Sequence, residues 1–162
     1  MRLGICPGTF DPVTNGHLDI IERGLRIFDK ILIAVAPSDK KNPLFSLDER
    51  LELINEVTRG FNNVEISAFD GLLVEYVRQQ KGVGILRGLR AISDFEYELQ
   101  LALMNRRLAS DVETVFMMPS QEYSFLTSTI VKEIASFGGS VKGLVPEVVE
   151  RALREKLASR QK

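Results

Sequence analysis

Cys6-Pro7-Gly8-Thr9-Phe10-Asp11-Pro12-Val13-Thr14-Asn15-Gly16-His17, CPGTFDPVTNGH, is the stretch from which the rest of this 162-residue chain is read. The apolar run Leu3 to Cys6 enters it, and a helical pattern from Leu18 to Phe28 leaves it, so it is the turn between a first strand and a first helix. Gly8 and Gly16 are positions where a missing side chain lets a ligand approach the backbone. Pro7, Asp11 and Pro12 keep the loop out of regular structure. Thr9, Thr14, Asn15 and His17, the one histidine of the chain, are left at the mouth of a helix N-terminus. Unpaired N–H groups and the helix dipole make such a place favourable to an anion. The chain has no G-x-x-x-x-G-K-[ST] and no dinucleotide G-x-G-x-x-G, so a phosphate loop of another kind is expected.

Outward from this loop, strand-like and helix-like stretches alternate. Ile31 to Ala36 is a β-branched run suited to a buried parallel strand. Pro37 to Phe45 is a polar loop with Lys40 and Lys41, and Ser46 with Glu49 has the capping-box spacing that opens a helix to about Thr58. Val64 to Phe69, Val83 to Leu86 and Thr114 to Met118 read as further strands. Leu72 to Gln79 reads as a short helix, and a long one runs to Leu108 with Ser93 as its cap. A polar turn, Tyr123 to Thr129, leads into a helix ending near Gly138-Gly139. Pro146 starts the last helix, with Val148, Val149, Ala152, Leu153 and Leu157 on one side. This predicts an α/β fold, a five-stranded parallel sheet with helices on both faces, in one domain spanning residues 1–162. Ligands in such folds sit beyond the carboxyl ends of the strands, where strand order reverses. A reversal between the first and fourth strands would gather Thr9, His17, Arg87, Arg90 and the Ser/Thr cluster after the fifth strand into one cleft.

Composition bounds the ligands. A hydrophobic content of 44% with 27% charged residues argues against disorder. A formal net charge of −1 gives no general attraction to nucleic acid or an anionic membrane, so phosphate binding must come from a local cluster. The single cysteine, Cys6, excludes an internal disulfide and a Cys-rich zinc site, and reads as an apolar strand residue. With no N-terminal signal pattern and no apolar run of membrane-spanning length, a cytoplasmic protein is expected.

Arg87-Gly88-Leu89-Arg90 ends an apolar strand with two guanidinium groups able to fork onto phosphate oxygens. Ser124-Phe125-Leu126-Thr127-Ser128-Thr129-Ile130-Val131-Lys132 puts hydroxyls at a helix start, where they serve either as caps or as polyphosphate ligands. In the long helix, Phe95, Leu99, Ala102 and Leu103 form one apolar stripe, and Tyr97, Leu101, Met104 and Leu108 another. A helix apolar on two sides is buried or shared with another subunit.

Gly8-Thr9-Phe10-Asp11-Pro12 followed by Thr14-Asn15-Gly16-His17 resembles the signature of the T/HxGH nucleotidylyltransferases, whose fold is Rossmann-like. These enzymes transfer a nucleoside monophosphate from a triphosphate and release pyrophosphate. The wording is most similar to the bacterial phosphopantetheine adenylyltransferase family, which makes dephospho-coenzyme A from ATP and 4′-phosphopantetheine. Arg87–Arg90 resembles that family's RGLR segment, Asp94–Glu98 its DFEYE, and Ser124–Lys132 the superfamily's ISSSxxR/K, with Thr127 and Thr129 where serines are common.

The resemblance implies roles for particular residues. His17, Lys41 and Arg90 would be catalytic. Thr9, Lys41, Leu73 (through its backbone) and Arg87 would contact the phosphopantetheine side, with neighbouring Lys40 leaving the lysine register open. Thr9, Phe10, His17, Gly88, Leu89, Arg90, Glu98 and the run Tyr123, Ser124, Phe125, Leu126, Thr127, Ser128 and Thr129 would contact ATP, and Lys132 would fill the motif's basic position. It implies Mg²⁺ on the triphosphate rather than a protein metal cage, a homohexamer, and coenzyme A as a feedback inhibitor. The nucleophile would be a phosphate monoester, already anionic, so no strong general base is needed. His17, beside a helix dipole, is then expected to act as a neutral hydrogen-bond donor. Relatives that transfer CMP to glycerol 3-phosphate or AMP to nicotinamide mononucleotide, and a non-catalytic nucleotide or coenzyme A sensor, are the alternative readings.

Overall fold

A computed structural model describes residues 1–37, 43–90 and 92–160, leaving aside the side chains of 92–94 and 160. Lys40 and Lys41 lie outside the described residues. In chain order the elements are β1 (Leu3–Gly8), α1 (Asn15–Gly24), β2 (Lys30–Val35), α2 (Leu47–Val57), β3 (Val64–Ala68), α3 (Leu73–Gln79), β4 (Gly84–Gly88), α4 (Ile92–Leu108), β5 (Glu113–Met117), a 3₁₀ turn (Gln121–Tyr123), α5 (Ser128–Ser136) and α6 (Glu147–Arg160).

The sheet is parallel, in the order β3-β2-β1-β4-β5. The chain winds outward from β1 in one direction, then returns to its other side at β4. The reversal expected between the first and fourth strands is therefore present, and it opens a crevice beyond their carboxyl ends.

Alternation along the strands divides the core in two. Cys6, Ile31, Ile33, Val35 and Leu86 face one layer, closed by Ile20 and Ile21 of α1, Leu53 and Ile54 of α2, Val131 of α5, and Val149 and Leu153 of α6. Ile5, Leu32, Ala34 and Ile85 face the other, packed on Val74, Tyr76 and Val77 of α3. β2 is buried on both faces, which explains its unbroken apolar run.

Several boundaries differ from the sequence reading. α1 begins at Asn15, not Leu18, because Thr14, extended at φ −125°, ψ 167°, caps it and draws Gly16 and His17 into the first turn. α4 begins at Ile92, so Ser93 stands within the helix and not ahead of it. The Ser46–Glu49 capping box forms as read: the Glu49 amide donates to Ser46 Oγ at 3.2 Å and the Ser46 amide to Glu49 Oε2 at 2.7 Å. Along α4, Tyr97, Leu103 and Met104 are more than half exposed, so its apolar stripes are not consumed within the chain. Among the described residues no helix is long and apolar enough to cross a membrane.

Candidate active site

The crevice at the β1–β4 reversal is lined from five directions. Gly8, Thr9, Phe10 and Thr14 come from the first loop, Gly16 and His17 from α1, Arg87, Gly88 and Arg90 from the end of β4, Glu98 from α4, and Pro119, Tyr123 and Leu126 from the segment after β5. Residues distant in sequence converge because the segments that carry them meet at the carboxyl ends of β1, β4 and β5.

His17 is placed by α1 itself. At the third helical position it completes a capping box in which an imidazole takes the place usually held by Glu or Gln. Its amide approaches Thr14 Oγ1 at 3.4 Å, and its Nδ1 accepts the Thr14 amide at 3.0 Å. An Nδ1 that accepts carries no proton, so in the neutral ring the proton sits on Nε2. Burial, and then the positive charges of Arg90 and Arg87, pull the His17 pKa down to about 4. The neutral donor expected from the helix dipole is thus favoured by desolvation and by two nearby guanidinium groups.

Gly8 and Gly16 both line the crevice. Neither Gly8 nor Gly16 has a positive φ; Phe10 does, at 50°. A side chain at Gly8 would put Cβ 2.9 Å from the Phe10 ring, so Gly8 also makes room for that ring at the wall of the crevice. Phe10 is buried, and its ring lies 4.9 Å from the imidazole of His17, which holds the turn in this strained region. Thr9, next to it, is left exposed at the rim of the crevice.

Arg87 is forked onto Glu98. Its Nε donates to Oε2 at 2.8 Å, its Nη2 donates to Oε1, and its Nη1 reaches the Pro7 carbonyl at 3.1 Å. Burial alone would lower the Arg87 pKa, but the bonds to Glu98 outweigh it and hold the guanidinium above the ordinary arginine value. In this arrangement both Glu98 oxygens are committed to Arg87. Arg90 donates to the Leu126 carbonyl at 3.4 Å, linking the end of β4 to the segment after β5.

The hydroxyl cluster divides by task. Thr127 caps α5, accepting the Ile130 amide at 3.0 Å. Ser128 donates to the Pro12 carbonyl at 2.7 Å and Ser124 to Gln121 at 2.9 Å, while Thr129 and Phe125 are exposed. Tyr123 and Leu126 reach the crevice, and these hydroxyls support its wall. The Leu89 amide extends the β4–β5 ladder by donating to Met117 at 2.9 Å. Leu73 starts α3 and packs on the second core layer, away from the lining.

Sequence reasoning missed two supports. Arg50 of α2 is 2% exposed, and its Nη1 donates to the Thr9 carbonyl at 2.6 Å and the Ala36 carbonyl at 2.8 Å. It pins the first loop to the end of β2. Asp19 of α1 accepts the Ser120 amide at 2.8 Å and hydroxyl at 2.7 Å, fixing the start of the segment after β5. For Arg50 the available signal was a charged residue on the same helical face as Leu53 and Ile54; Asp19 lies off the buried face of α1 and carried none.

Comparison with known proteins agrees with this arrangement. Residues 5–134 match the model of the cytidylyltransferase-like family. The chain is 59% identical to a phosphopantetheine adenylyltransferase of Thermodesulfovibrio yellowstonii, covering 96% of this chain and 97% of that one. It is 55% identical to that of Moorella thermoacetica, covering 94% and 96% respectively. Among solved structures, a proposed nicotinate-nucleotide adenylyltransferase from Vibrio parahaemolyticus superposes with a TM-score of 0.71 over 97% of this chain and 95% of its own; at 19% identity that likeness speaks for the fold. The chain belongs to the cytidylyltransferase-like family and, within it, to the phosphopantetheine adenylyltransferases.

Proposed function

We propose that this protein transfers the adenylyl group of ATP to 4′-phosphopantetheine, giving dephospho-coenzyme A and pyrophosphate. The observation that carries this reading is a neutral, Nε2-protonated His17 set among two arginines at the β1–β4 crevice, in a chain more than half identical to two phosphopantetheine adenylyltransferases over nearly its whole length. A phosphate oxygen of the acceptor attacks the α-phosphorus of ATP. The new P–O bond forms there as the bond to the pyrophosphate oxygen breaks, and the electron pair leaves with pyrophosphate. The nucleophile is already an anion, so His17 need take no proton. Its Nε2–H instead donates to oxygens that gain charge in the transition state. Arg90 serves the triphosphate in the same way. Arg87, forked by Glu98, receives the acceptor phosphate, and Thr9 lies between the two substrates.

Mg²⁺ enters with ATP. The ion is carried by the triphosphate and water, as Mg²⁺ usually is with a nucleotide substrate. The exposed apolar residues of α4 support self-association, and the family resemblance suggests six copies. Leu103→Glu on that face should dissociate the assembly in light-scattering measurements. Coenzyme A, which shares the pantetheine arm, is the proposed feedback inhibitor, and the cytoplasm the proposed compartment.

Pyrophosphate release with ATP, Mg²⁺ and 4′-phosphopantetheine tests the reading, run beside CTP with glycerol 3-phosphate and ATP with nicotinamide mononucleotide. Turnover confined to phosphopantetheine is expected. Turnover with another pair replaces the substrate, and binding of ATP or coenzyme A without turnover makes the protein a sensor.

A further inference from the structure

Two oppositely charged motif residues stand outside the crevice lining and face each other: Asp11 of the first loop and Lys132 of α5. Asp11 is 4% exposed, and its carboxylate meets three donors. The Leu44 amide reaches Oδ2 at 3.1 Å, the Phe45 amide reaches Oδ1 at 2.9 Å, and Lys132 Nζ reaches Oδ2 at 2.7 Å. Burial works to raise the Asp11 pKa, but the Lys132 and backbone bonds outweigh it and hold the carboxyl below the ordinary aspartate range. One side chain thus joins its own loop, the entrance to α2, and α5. The loop is held again close by, where Ser128 donates to the Pro12 carbonyl at 2.7 Å.

We propose that Asp11 and Lys132 are positioning residues, a buried ion pair that fixes the first loop between Thr9 and His17 against α2 and α5 without touching the triphosphate. A lysine serving phosphate directly would point into the crevice; this one points at a carboxylate, with 20% of its side chain exposed. Removing the ammonium leaves a buried carboxylate held by two amides alone. Removing the carboxylate leaves those two amides and a cation without their acceptor. Either loss frees the loop that sets Thr9 and His17, and small misplacement of catalytic groups lowers turnover more than substrate binding.

The inference rests on the adenylyl-transfer reading, and wild-type turnover in the substrate panel checks that reading separately. Asp11→Asn, Lys132→Met, the double variant and Lys132→Arg are then compared by steady-state kinetics. Each neutral variant should lose ~10-fold or more in kcat while KM for ATP and phosphopantetheine stays within ~3-fold, as misplacement without lost contact requires. The double variant should be no worse than the poorer single, and Lys132→Arg should keep most of the turnover. A rise of ~10-fold or more in KM for ATP in Lys132→Met, not shared by Asp11→Asn, would put Lys132 on the triphosphate and overturn the proposal. So would unchanged kcat in both singles. If Asp11→Asn fails to fold, the split between kcat and KM in Lys132→Met against Lys132→Arg still decides. Amide exchange in Lys132→Met gives a readout independent of turnover: faster exchange at Thr14, Leu44 and Phe45 is expected, and unaltered exchange would count against the pair holding the loop.

Discussion

Replacing His17 by Asn separates the two tasks of the imidazole. Asn keeps a side-chain oxygen near the position of Nδ1, so it can still accept the Thr14 amide, now bonded at 3.0 Å. It has no donor where Nε2–H lies. The cap should survive and the catalytic donor should not. By analogy with loss of one oxyanion donor, kcat should fall ~10²–10³-fold, equivalent to about 3–4 kcal/mol of transition-state stabilisation. His17→Ala should lose a similar factor and, in addition, about 1 kcal/mol of stability from the cap. The two variants also differ from wild type in their dependence on pH. The pKa of His17 is about 4 in the folded chain against an ordinary 6.5. Between these values the unfolded chain binds the proton and the folded chain does not, so wild-type stability falls as pH drops through this window. The loss is up to about 3 kcal/mol once the pH is below both values. His17→Asn should lack this component, while kcat of the wild type should show no histidine titration near neutrality. Turnover by stopped pyrophosphate assay and urea unfolding across the acid range measure both. Turnover of His17→Asn within ~3-fold of wild type would remove the Nε2 donor from the chemistry.

Other variants probe the supports. Glu98→Gln should raise KM for phosphopantetheine by ~10-fold and KM for ATP by less than ~3-fold, because both carboxylate oxygens hold Arg87; the opposite pattern in steady-state kinetics would make Glu98 a nucleotide ligand. Arg87→Ala should likewise weaken phosphopantetheine more than ATP, and equal losses would mean that the two arginines are wrongly divided. Arg50→Met strips a donor from the Thr9, Ala36 and Ser46 carbonyls and should cost about 2–4 kcal/mol, read as a lower Tm. Gly8→Ala brings Cβ to 2.9 Å from the Phe10 ring and should cost about 1–3 kcal/mol with reduced kcat, whereas an unchanged Tm would show that the ring gives way freely.

Much of this was legible in the chain because it rests on local pattern. The unbroken apolar run of β2, the Ser46–Glu49 box and the strand–helix alternation each follow from short-range spacing, and together they predict the parallel sheet, whose reversal between β1 and β4 is where the site residues would gather. The crevice residues Thr9, His17, Arg87 and Arg90 follow because each stands at, or in the connection or helix beyond, the carboxyl end of β1 or β4. What was not legible depends on tertiary approach. That Gly8 yields to the Phe10 ring and that Asp11 meets Lys132 across 121 positions are facts of packing with no local signature, and for Arg50 the helical pattern marks the burial but not the reach back to Thr9. The Ser/Thr cluster shows the reverse case. Hydroxyls that read equally as caps or as phosphate ligands are, at Thr127 and Ser128, engaged in capping and bracing.

The most direct test follows the atoms. 4′-Phosphopantetheine labelled with ¹⁸O on its phosphate is turned over with unlabelled ATP and Mg²⁺, and the products are weighed by mass spectrometry. Attack on the α-phosphorus predicts that all the label appears in dephospho-coenzyme A, with an equal amount of unlabelled pyrophosphate and no AMP. Label in pyrophosphate, or release of AMP in place of pyrophosphate, would contradict adenylyl transfer at this site.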